Sequence, residues 1–152
     1  MNEIIVESLT LKELFDKQQS LAIPEYQRPY VWTPKEINKL LGQFKQHQER
    51  TDDKPLFYLG SIVLHKKGNS LEIIDGQQRL TTLQILSLIK SKSDFGIKYS
   101  HPISLKNIKS NHNHFSKNNF EIIDLNNINV TIVAVENEDL AYSFFETLNT
   151  GG

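Results

Sequence analysis

Leu71-Glu72-Ile73-Ile74-Asp75-Gly76-Gln77-Gln78-Arg79-Leu80-Thr81-Thr82-Leu83 joins the end of an apolar strand to the start of a long apolar helix. Leu71, Ile73 and Ile74 form the strand. Leu80, Leu83, Ile85, Leu86, Leu88 and Ile89 then surround most of the helix, which predicts that it is buried and central. Such a junction gathers unpaired backbone N–H groups and the positive end of a helix dipole at one point. Here that point is crowded with a carboxylate, two amides, a guanidinium and two hydroxyls. A tight Asp-Gly turn with Asp75 capping the helix accounts for Asp75. It leaves Gln77, Gln78 and Arg79 together unexplained.

The other reading is a phosphate-handling corner. Gly76 lets the backbone approach a phosphate, and the N–H groups of Gln77 and Gln78 can donate to its oxygens. Arg79 offers a planar fork that matches those oxygens. Asp75 would repel bare phosphate, so it fits through a bridging divalent cation, such as magnesium, or as a group that orients water.

Outward from the corner, Phe57–His65 is apolar on both alternating faces, as a central strand would be, and Lys66–Ser70 reads as a hairpin turn. Gly60-Ser61 interrupts that strand, which implies close approach of a neighbouring element or a ligand. Glu3–Val6 is a further strand. Thr10-Leu11-Lys12-Glu13 and Thr33-Pro34-Lys35-Glu36 are helix starts of the capping-box type. Asn129–Val135 is another two-faced strand. Asn137-Glu138-Asp139 opens a last helix with Leu140, Ala141, Phe144, Phe145 and Leu148 inward, stopped at Asn149–Gly152.

Prolines make Ile23–Trp32 extended. Alternation then places Tyr26, Arg28, Tyr30 and Trp32 on one side and Gln27 on the other. Either the aromatics belong to the core, or they form a base-stacking platform with a phosphate-binding arginine. Residues 93–120 are rich in Ser, Lys, Asn and His and predict a loop-rich insertion. His112 and His114 in that stretch read as solvated rather than as metal ligands. Lys90, Lys92, Lys98, Lys106, Lys109 and Lys117 read as ordinary solvated charge that could at most form a basic patch.

With 152 residues the chain is read as a single domain over 1–152, large enough for a core of its own. A formal net charge of −1 gives no global attraction to nucleic acid. The absence of cysteine excludes disulfides and thiolate metal sites. No apolar run reaches the length of a membrane span, so the expectation is a soluble, cytoplasmic protein without a membrane partner.

Four ordered stretches, Ile23–Trp32, Tyr58–Ile62, Asp75–Leu83 and Phe144–Gly151, together resemble the N-terminal domain of GmrSD-type restriction enzymes. The resemblance implies a mixed α/β fold of the ParB/sulfiredoxin-like type, a small mixed sheet flanked by helices. It also implies nucleoside triphosphate binding and hydrolysis with magnesium, coupled to restriction of modified foreign DNA. Carried over by position, Asp75, Gln78 and Arg79 are the catalytic candidates. Tyr26, Gln27, Arg28, Gly60, Ser61, Gly76, Gln77, Thr81 and Thr82 would contact nucleotide, and Asn149 and Gly151 would close the pocket. Family members continue past the point where this sequence ends, often into an HNH-type nuclease domain. The chain is therefore read as truncated at its C-terminal end and not itself a nuclease, meeting DNA through a partner or a further domain and open to oligomerisation. A non-enzymatic nucleic-acid module built on Tyr26, Arg28, Tyr30 and Trp32 is the alternative, and the two differ in salt dependence.

Overall fold

The structure is a computed structural model that describes residues 4–17, 20–50, 56–91 and 94–150, with residues 148–150 described by backbone alone. In chain order the elements are β1 (Ile4–Thr10), α1 (Leu11–Asp16), β2 (Ser20–Ala22), α2 (Pro34–Gln48), β3 (Phe57–Lys67), β4 (Ser70–Asp75), α3 (Gln77–Lys90), β5 (Ile97–Lys98), α4 (Pro102–Ser116), β6 (Ile128–Val135) and α5 (Glu138–Thr150). A 3₁₀ turn at Leu125–Asn127 leads into β6. The strands form one six-stranded mixed sheet in the order β1-β6-β3-β4-β2-β5. The expected mixed α/β fold is what the chain adopts.

β3 and β4 form the antiparallel hairpin at the centre, and β6 lies parallel to β3 on its other side. Successive residues of a strand face opposite ways, and both faces are covered here. Ile62 and Ile73 enter the main core with Leu80 and Leu83 of α3, while their neighbours Val63 and Ile74 pack with Ala141, Phe144 and Phe145 of α5. A third cluster, Ile37, Leu86 and Phe115, ties α2, α3 and α4 together. α3 is thus enclosed by sheet and helices, as its apolar circumference predicts.

Both capping boxes form, at Thr10 with Glu13 and at Thr33 with Glu36. The stretch 93–120 departs from expectation: most of it is the 15-residue helix α4. Its inward face carries Ser104, Asn107, Asn111 and Phe115, so helical periodicity is present but written mainly in polar letters. Those polar groups are bonded. Ser104 Oγ accepts the Tyr30 N–H at 2.9 Å. Asn107 Nδ2 donates to Tyr30 O at 2.8 Å, and Asn111 Nδ2 donates to Trp32 O at 2.8 Å. A segment outside the sheet must pair its backbone somewhere, and α4 supplies the partners.

Ile23–Trp32 is not extended throughout. The Gln27 N–H donates to Pro24 O at 3.0 Å, closing a turn that breaks the two-residue alternation. Tyr26, Arg28, Tyr30 and Trp32 therefore do not share a side. Tyr30 is wholly buried, its hydroxyl bonded to Thr82 Oγ1 at 2.8 Å and to Asn111 at 3.1 Å. Tyr26 instead packs edge-on against Tyr142 and Phe145 of α5, and Trp32 is half-buried against the core. A continuous stacking platform is absent from this segment.

Candidate functional site

The β3–β4 hairpin and its neighbours contain two register shifts, and both serve the corner. Against β6, Tyr58 pairs with Asn129 and Gly60 with Val130, so Leu59 is an extra, bulged residue. Against β3, Asp75 pairs with Val63 and Ile73 with Leu64, so Ile74 is the extra residue of β4. A bulged residue drops out of the ladder. The Leu59 carbonyl accepts from Arg79 Nη1 at 3.0 Å, and the Ile74 carbonyl accepts from Gln27 Nε2. Gly60, at φ 132°, makes the first bulge possible, and its missing side chain leaves room for the Arg79 guanidinium.

At the junction itself Gly76 is the N-cap of α3, in the left-handed region at φ 102° and with no side-chain cap. A β-carbon there would crowd Ile62 Cγ1 at 3.1 Å, and the left-handed conformation itself favours glycine. Asp75 is therefore not the cap the simple turn reading expected. It stands just before the cap, and burial pushes its carboxyl above the ordinary carboxylate range, opposed by the neighbouring Arg79 and Gly76 N–H.

Two consecutive amides differ sharply. Gln78 bridges the Pro-rich segment: Oε1 accepts the Val31 N–H at 2.9 Å, and Nε2 donates to Pro29 O at 3.3 Å. Gln77 is buried, 3% exposed, and its Nε2 donates to Arg28 O at 2.9 Å and Gln27 Oε1 at 3.4 Å. Those two acceptors fix which way the amide points, since a flip would oppose oxygen to oxygen. Gln77 Oε1 is left buried without a partner. A lost partner of this kind costs about 1–3 kcal/mol unless something donates to it.

Around these groups lies a cleft of ≈ 290 Å³, lined by Gln27, Arg28, Trp32, Ser61 and Asp75–Arg79. Arg28 and Arg79 are both exposed, and Asp75 is half-buried. The structure thus brings together Gln27, Arg28, Ser61, Asp75, Gly76, Gln77, Gln78 and Arg79. Gly60 lies behind Arg79, and Tyr26 faces α5. Thr81 and Thr82 do not belong to the cleft. Both are fully buried, bonded to the hydroxyls of Tyr99 and Tyr30, because helical rotation carries them away from its mouth. Asn149 and Gly151 lie outside the residues whose side chains are described.

Among the described residues no group of three or more His, Cys, Asp and Glu could hold a metal ion, which includes the His112/His114 stretch. No described helix is long and apolar enough to cross a membrane. A larger cleft at the far end of α3 is ringed by carboxylates and is unsuited to phosphate. What the sequence reading missed is the service role of Ser104, Asn107 and Asn111. Their spacing of three and four residues was the available signal.

The chain matches the model of the GmrSD restriction endonuclease N-terminal domain over residues 11–152. It belongs to that family. No curated protein matches it. As a GmrSD N-terminal domain it is part of a restriction, and hence defence, system. The match spans the Pro-rich segment, both bulges, the corner and α5, so the cleft of this GmrSD domain lies wholly inside the family region.

Proposed function

We propose that the cleft at the start of α3 binds a nucleoside triphosphate with magnesium and hydrolyses it, as the regulatory domain of a system that restricts modified DNA. One observation carries this reading: an uncapped helix start opens into a cleft beside two arginines and a buried, unpartnered amide oxygen. The helix start and the arginines favour an anion. The oxygen of Gln77 needs a donor, which bare phosphate is not. A triphosphate accompanied by the water that attacks it satisfies both demands.

In this reading the backbone N–H groups at the start of α3 and the forks of Arg28 and Arg79 hold phosphate oxygens. Gln77 Oε1 accepts from the attacking water, so the positioning amide is Gln77 rather than the expected Gln78, whose own amide is spent on Val31 and Pro29. Water oxygen bonds to the terminal phosphorus as the bond to the nucleoside diphosphate breaks, and the water's proton passes to a phosphate oxygen and on to solvent. Magnesium fits only as an ion that arrives with the nucleotide, because Asp75 is the one carboxylate lining the cleft among the described residues. It would be held by Asp75 and would neutralise phosphate charge. DNA contact then falls to other parts of the system, since the Tyr26–Trp32 segment offers no row of stacked rings.

The test is a thermal-shift panel of the four triphosphates with and without magnesium, using wild type and Arg79→Ala. A ligand at a hundredfold its Kd stabilises by about 2.7 kcal/mol. The expected result is a magnesium-dependent shift with at least one triphosphate, lost in Arg79→Ala while the unliganded midpoint stays close to wild type. No shift with any triphosphate, or unimpaired hydrolysis by Arg79→Ala, overturns the assignment.

A further inference from the structure

A cleft of ≈ 720 Å³ opens at the opposite end of α3 from the corner. Ser87 stands ten residues after Gln77, which at the helical rise is about 15 Å along the axis. Asp16, Asp94, Glu121 and Asp124 line it, against Lys12 and Lys90. Lys12 Nζ lies 2.8 Å from Asp16 Oδ2 and the two neutralise each other, while Asp94 and Asp124 each accept one backbone N–H, from Gly96 and Asn126. Among the described residues, Asp94, Glu121 and Asp124 are thus left facing Lys90 alone, whose Nζ sits 4.7 Å from the centre of the Phe120 ring. The C-terminal end of α3 adds partial negative charge of its own. The field in this cleft therefore favours a cation.

A second, independent observation points the same way. Ser87 is among the residues lining the cleft, it is 1% exposed, and its hydroxyl lies just beneath that wall with no hydrogen-bond partner. An N–H donor from a bound molecule would supply one. The wall beside it is apolar, formed by the stacked rings of Phe15 and Phe95 at 3.7 Å between centroids. A metal ion does not suit this site, given the lack of any metal-holding cluster among the described residues.

We infer that this cleft is a binding site for a small organic cation with an aliphatic body. Its ammonium or guanidinium group pairs with the carboxylates and donates to Ser87 Oγ, while its methylene chain lies on Phe15 and Phe95. The volume falls within the range of small-molecule sites.

Calorimetric titration of the full chain with agmatine and with spermidine, at matched ionic strength, tests this. Saturable binding of one of them is expected, with Kd raised about tenfold by Ser87→Ala through loss of a charge-assisted hydrogen bond. The exposed pair Asp94→Asn with Glu121→Gln is expected to weaken binding at least as much without disturbing the fold, and Arg79→Ala to leave it unchanged. Absence of binding by both cations overturns the site. So does a Kd that neither Ser87→Ala nor the carboxylate pair alters.

Discussion

The guanidinium of Arg79 lies so close to the bare α-carbon of Gly60 that a β-carbon there would stand 2.8 Å from Nη1. Both residues belong to one device: the bulge presents the Leu59 carbonyl, Arg79 takes it, and glycine leaves the room. Gly60→Ala is expected to cost about 1–3 kcal/mol, because an L side chain rarely adopts φ near 132°. It should also push the Arg79 guanidinium aside and weaken nucleotide binding beyond what the stability loss explains. Denaturant melts paired with nucleotide titration separate the two effects.

Asp75 yields a pH prediction. Burial raises its pKa in the folded state, so the contribution of this group to stability is fully present in acid. It is lost as pH rises from the unfolded carboxylate range through the raised folded value. Asp75→Asn lacks that loss. The variant should match wild type in acid, exceed it in stability at neutral pH, and lose the magnesium response. A variant whose advantage instead grew as pH fell would contradict the sign of the shift.

Gln27 and Gln77 meet at 3.4 Å, and each also reaches a backbone carbonyl, of Ile74 and Arg28 respectively. A double-mutant cycle on Gln27→Ala and Gln77→Ala should give a coupling of about 0.5–3 kcal/mol. Strict additivity would mean that the two amides act apart. Equilibrium unfolding in urea is sufficient to decide.

Tyr30→Phe tests whether the Tyr30 hydroxyl serves the interior or a ligand. Removing the hydroxyl strands Thr82 and Asn111 in the interior and should cost about 1–3 kcal/mol. Nucleotide affinity, and any affinity for single-stranded DNA, should stay at the wild-type value once the protein is folded. A selective fall in DNA affinity would mean that the hydroxyl meets DNA instead of serving only the interior.

The corner at Asp75 is legible in the sequence because two strong periodicities, strand and helix, collide across a glycine with nothing apolar between them. The central strand Phe57–His65 and the helix after Thr33 are legible for similar reasons, alternation in one case and a capping box in the other. α4 is not. Its buried face is Ser104, Asn107 and Asn111 rather than leucines, since it satisfies backbone instead of filling core. Thr81 and Thr82 mislead in the opposite direction. Proximity to the motif makes them look like ligand groups, yet the next quarter-turns of the helix send them inside to two tyrosines. The partition of labour between Gln77 and Gln78 was likewise beyond reach, because identical letters leave their roles to the bulges and the proline-rich turn.

Those bulges make the cleft a reader of strand alignment. Arg79 and Gln27 each grip the carbonyl of a bulged residue, one where β3 slips against β6 and one where β4 slips against β3. A one-residue insertion or deletion in either strand could restore a perfect ladder and leave every motif letter unchanged. It would still disarm the site, because the two carbonyls would return to the sheet.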